Sequence, residues 1–164
     1  MKKINYIVIC LVLTFGCGNE TKQENSTKVK LQKQAAELNN QESTNVKASE
    51  IVDLSNKGIG PITTITLSPE IDQEMVTQGE SVFNKMCTAC HIVGQKSIGP
   101  SPNGILERRT PEWIMNMILN PEEMVAKDPL AKQLLLEYNG APMVNQNLSE
   151  KEARAILEYY RTLE

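Results

Sequence analysis

The chain has 164 residues, 40% of them hydrophobic, 23% charged and only 4% aromatic, and its formal net charge is −3. That length allows one domain, or one domain with a long tail, and the negative balance excludes nucleic acid as the main partner. No run approaches the roughly 18 apolar residues that a membrane span needs. The few aromatics leave a core short of large side chains, a shortage that a cofactor would make good.

The first residues read as an export signal over 1–16. Lys2 and Lys3 supply the positive start, and "INYIVICLVLTF" supplies an apolar run too short to span a bilayer. The run ends at "TFGCGN", which resembles a bacterial lipoprotein signal with Cys17 as the lipid-bearing residue, although Thr14 stands where such signals usually carry an aliphatic residue. A plain secretory cut at the same place is the alternative. Both readings put the working protein outside the cytoplasm, on the periplasmic or extracytoplasmic side. A triacyl lipid on Cys17 would anchor it to the membrane, because each buried methylene adds about 0.8 kcal/mol. Cys10 falls inside the apolar run and leaves with the signal.

Residues 17–56 are rich in Lys, Glu, Gln, Asn, Ser and Thr and sustain no apolar stripe. Such a segment cannot bury enough surface to offset the entropy of ordering it, so it reads as a flexible tether reaching roughly 35 Å on average. "KGIGPITTITL", residues 57–67, differs: two glycines and a proline precede Ile62, Ile65 and Leu67, which suggests an extended strap packed on the domain.

The domain proper is expected over 68–164, and its elements read as helices. Ser68 with Pro69 offers a start, and Ile71, Met75, Val76, Gly79, Val82, Phe83 and Met86 follow at helical spacing. Thr110 with Pro111 opens a second helix, "PEWIMNMIL", which Asn120-Pro121 stops. Asp128 with Pro129 opens a third, "PLAKQLLLEY", closed by Asn139-Gly140. Ser149 and Glu152 form a capping-box pattern for the last, with Ala153, Ile156, Leu157 and Tyr160 on its apolar face. No run alternates like a strand, so the predicted class is all-α, with about four helices.

"CTACH", residues 87–91, concentrates the chemistry. Two cysteines two residues apart suit a redox dithiol, half a zinc site, or two thioether bonds to haem vinyl groups. His91, the only histidine, directly follows the second cysteine, where its imidazole can ligate the iron of a haem held by Cys87 and Cys90. Zinc would need further ligands, and the other two cysteines sit in the signal region. A thioredoxin-like dithiol belongs after a strand in an α/β fold. Covalent haem c is therefore the favoured cofactor.

These residues resemble the small monohaem class I cytochromes c over about residues 72–163. "GESVFNKMCTACH" is similar to the family's opening helix and haem site. Gly79 and Phe83 match the glycine and aromatic where the first and last helices cross, and "ILEYYRTL", with Tyr159 at the aromatic position, is similar to the closing helix. The resemblance implies that the carbonyl of Pro100 in "IGPSPNGILERR" accepts a hydrogen bond from the unligated nitrogen of His91. It implies an iron-ligating methionine on a loop before the last helix, where Met143 stands in "NGAPMVNQNLSEKE". The family's proline often follows that methionine; here Pro142 precedes it. Met124, just after a helix break, is the rival, whereas Met75, Met86, Met115 and Met117 read as core filling. Arg108 stands where the family places an arginine near a haem propionate, Trp113 is a second donor candidate, and Arg109 reads as solvated. Asn139 and Asn145 read as turn residues.

Filled axial positions imply electron transfer without bond-making. The alternative is a haem enzyme or small-ligand sensor with a weak or open sixth position. A tether would hold a carrier near a membrane-associated oxidase or reductase, or make it the fixed electron-input subunit of one. "RRTPEWIMNMILNPEEM" resembles segments of cytochromes found with nitrous-oxide reductases. From Ser68 onward there are 14 acidic and 9 basic residues, a net charge of −5, whereas Gly18–Leu67 has six of each. The expected partner therefore presents a basic patch, and association slows as salt rises.

Overall fold

The computed structural model describes residues 46–163. The expected signal over 1–16, the lipid-bearing Cys17 and the tether as far as residue 45 lie outside the described residues. Among the described residues, five α-helices and one 3-10 turn follow in order: α1 (Gln73–Met86), the turn Ile105–Glu107, α2 (Pro111–Leu119), α3 (Pro121–Lys127), α4 (Pro129–Glu137) and α5 (Glu150–Tyr160). The described residues contain no strand, only isolated bridges between Asp53 and Arg109 and between Ile92 and Gln95. The fold is all-α, and no described helix is long and apolar enough to cross a membrane.

Short polar caps start most of the helices. The Thr110 side chain accepts from the Trp113 amide, Asp128 from that of Ala131, and Ser149 forms a complete capping box with Glu152. Two boundaries differ from the sequence reading. α1 begins at Asp72, whose carboxylate accepts from the Glu74 and Met75 amides at 3.0 Å each, and not at Ser68-Pro69. The Arg161 guanidinium instead holds that earlier stretch as an irregular turn, donating to the carbonyls of Ser68 (2.7 Å) and Pro69 (3.3 Å). The second difference is α3. Asn120-Pro121 does stop α2, but Pro121 is also the first residue of a new helix, because its missing N–H is not needed there.

α1 and α5 cross at Gly79, and Phe83, Tyr159 and Tyr160 pack beside the crossing. The Phe83 ring lies 5.5 Å from that of Tyr159 and 5.8 Å from that of Tyr160, the latter edge-on. Phe83 is buried, with Trp113, Ile114, Met115, Met124, Ile156 and Leu157 in the same cluster. Truncating such an aromatic costs about 3–5 kcal/mol.

Residues 57–67 pack on α2 as an irregular segment, bent at 59–61 and Thr63 and not extended throughout, and are held by side chains of that helix. Asn116 accepts from the Ile62 amide and donates to the carbonyls of Lys57 and Ile62, all at 2.9 Å. Glu112 accepts from the Ile65 amide at 3.2 Å and pairs with Lys57 at 3.3 Å.

Residues 46–56, read from the sequence as the end of the tether, pack on the domain. Ala48 is buried, Asn56 donates to Asp128 at 2.7 Å, and Ser49 donates twice to Glu137. Arg109, expected to be solvated, is also buried: it donates to the carbonyls of Ala48 and Ile51 and stacks on Trp113, 5.3 Å from the ring centroid. The polar composition hid these partners, because backbone carbonyls accept an arginine whatever side chains flank them.

Candidate functional site

The C-terminus of α1 delivers the two cysteines. Cys87 caps the helix, and its carbonyl accepts from the amides of Cys90 (3.0 Å) and His91 (2.9 Å), a tight turn that sets Cys87, Cys90 and His91 side by side. All three line a cavity of about 610 Å³. Burial, aided by the neighbouring Cys90, pushes the Cys87 thiol up to about 11, away from the depressed range of a redox dithiol nucleophile. Among the described residues no group of three His, Cys, Asp or Glu side chains is arranged to hold a metal ion.

Two neighbours fix the His91 ring. Its Nδ1 lies 2.8 Å from the Pro100 carbonyl, and as donor in that bond it leaves the Nε2 lone pair free for a metal. Gly99 presses against the ring: a Cβ there would sit 2.5 Å from Cε1 and 2.8 Å from Nδ1. Its amide donates to the Cys90 carbonyl at 2.8 Å, tying this loop to the cysteine turn. The imidazole is thus oriented from behind and crowded from one side.

The remaining walls come from distant parts of the chain. Met143, on the irregular segment between α4 and α5, lines the cavity, as do Met86 and Met117, which the sequence reading assigned to core filling. Met124 is buried outside it, and its Sδ accepts from the Ile59 amide at 2.9 Å. Arg108 lines the cavity while its Nη2 donates to the Asn103 carbonyl at 3.0 Å. Trp113 reaches the cavity with its ring, but its indole N–H donates to Asp128 at 3.3 Å. That indole N–H is its one donor, and here Asp128 takes it. Asn139 turns the chain at φ 59°, and Asn145 donates to the Leu119 carbonyl at 3.4 Å.

Sequence reasoning missed three wall residues, Lys47, Ser49 and Glu50, all in the segment assigned to the tether. No local signal marks them. The Tyr138 ring, with Lys96 4.6 Å above it, and the Tyr160 ring, whose phenol burial pushes well up, complete the lining.

The cavity fits a haem on three counts. Its lining is largely apolar, two thiols sit at one edge, and an imidazole with a free nitrogen faces in. When bound, the haem supplies an iron that gains and loses one electron.

Comparison with known proteins agrees. The cytochrome c family profile matches residues 76–164. Among solved structures, a cytochrome c from Rhodothermus marinus is 46% identical, with a TM-score of 0.61 over 63% of this chain and 88% of that one. An engineered cytochrome c from the same organism, bound to a carbene intermediate, is 45% identical, with a TM-score of 0.58 over 63% of this chain and 88% of that one. No curated protein matches. On its own residues and on these matches, the chain belongs to the cytochrome c family, and its cofactor is covalent haem c.

Proposed function

We propose that the protein is an electron carrier whose iron is held between His91 and Met143. Cys87 and Cys90 are the covalent attachment points, spaced as the family's attachment motif requires. The observation that carries the reading is the shared cavity: His91, oriented by Pro100 and Gly99, and Met143, brought in by the segment before α5, line the same space. Met124 lies outside that space with its sulfur engaged.

A thioether at the sixth position leaves no open site for a substrate and favours the reduced state. Arg108, at the cavity edge, offers its guanidinium to a propionate. Cys17 carries the lipid that holds the exported protein at a membrane, and the partner is a membrane-associated oxidase or reductase with a basic docking surface. Nitrous-oxide reductase is one candidate for that partner. The support for this part is the signal-like start and the net charge of −5 from Ser68 onward.

Optical spectra of the purified protein in both redox states test the assignment. The weak far-red methionine–iron band should be present in the oxidised wild type, Met124→Ala and Met117→Leu, and absent in Met143→Ala. Rapid carbon monoxide binding by the reduced wild type would overturn the carrier reading in favour of a sensor or enzyme.

A further inference from the structure

We propose that residues 47–50 form one wall of the haem cavity, fastened from within by Arg109 and from without by Glu137, and that this wall limits the entry of water and small ligands. Lys47, Ser49 and Glu50 line the same cavity as His91 and Met143. They belong to no helix or strand, so specific side-chain contacts must keep them there.

The inner fastener is Arg109. Its guanidinium is buried and donates to the carbonyls of Ala48 (2.7 Å) and Ile51, on either side of the wall's outer residues. The Asp53 amide donates to the Arg108 carbonyl at 2.9 Å, which extends the seam. Lifting the segment away would strip a buried cation of these acceptors, a costly change. The inner side is therefore the fixed edge.

The outer fastener lies nearer solvent. Glu137, the last residue of α4, accepts from the Ser49 amide at 2.8 Å and the Ser49 hydroxyl at 2.6 Å. Both bonds are charge-assisted and close the gap between the segment and α4. Releasing them frees the rim beside Tyr138 while Arg109 keeps the segment attached. Ser49, Glu137 and Arg109 are thus positioning residues for the cavity.

The inference rests on haem occupying the cavity and not on the identity of the sixth ligand. The test uses the full-length haem-loaded protein in a Met143→Ala background, with and without Ser49→Ala, which removes the hydroxyl donor without changing charge or the turn. Imidazole association is measured by stopped flow, and amide exchange over 46–56 by mass spectrometry. We expect both to speed up roughly tenfold, as the loss of one charge-assisted bond implies. Glu137→Ala, which removes the acceptors from the other side, should act in the same direction. Faster exchange with unchanged imidazole entry would show that the segment is not a wall. Unchanged exchange would show that Glu137 does not fasten it. An association rate that saturates with imidazole would report a step that precedes entry, the opening of the segment or the loss of a substitute ligand. The ratio between variants at low imidazole tests the wall in that case too.

Discussion

Gly79 and Ala155 bring two helices into backbone contact: a Cβ on Gly79 would lie 2.0 Å from the Ala155 carbonyl oxygen and 2.4 Å from its carbon. No side-chain rotation relieves that overlap, because both partners are main chain. Gly79→Ala must push α1 away from α5, disturbing Phe83 and the helix end that carries Cys87. We expect a loss of about 3 kcal/mol, read by urea unfolding, despite the better helix propensity of alanine.

Gly99 poses the same problem for the imidazole. In Gly99→Ala the new methyl would meet His91 Cε1 at 2.5 Å, so the ring must turn and weaken its 2.8 Å contact with the Pro100 carbonyl. Expected outcomes are an altered visible spectrum and a lower yield of haem-loaded protein.

Glu158 links stability to acid pH. It is fully buried in α5, where burial pushes its carboxyl up. The Asp72 amide at 3.0 Å, together with Arg154 and Arg161, outweighs that and holds it below the ordinary 4.5. A carboxylate lowered on folding stabilises the native state above its unfolded value. That contribution is lost as pH falls from about 4.5 through the folded value. Glu158→Gln should flatten the stability profile below pH 4.5 in urea titrations and cost about 3 kcal/mol at neutral pH.

Trp113 separates a structural donor from a haem donor. Its N–H is spent on Asp128, which also caps α4 and holds Asn56. Trp113→Phe should lower stability by about 2 kcal/mol and leave the reduction potential unchanged. A clear shift in potential with little loss of stability would return the indole to the propionate.

What the sequence disclosed was local. The capping box at Ser149 and Glu152 and the turn through Cys87 and His91 are each completed within a few residues, so residue type and spacing suffice. Asn120-Pro121 misled because one dipeptide both ends α2 and begins α3, and helix punctuation does not say whether the chain resumes. The burial of Arg109 and the packing of 46–56 depend on acceptors between 58 and 88 positions away, and a polar composition carries no trace of such partners. The haem-binding end of the site was legible for the same reason that its walls were not.

That asymmetry bears on the order in which the site is built. Cys87, Cys90 and His91 are gathered by one helix end and its turn, contacts that form early because they close short loops. Met143, Tyr160 and the 47–50 wall arrive only when distant segments dock. The cysteine pair is therefore organised while the space around it is still open, which gives a bulky porphyrin room to approach before the chain closes over it.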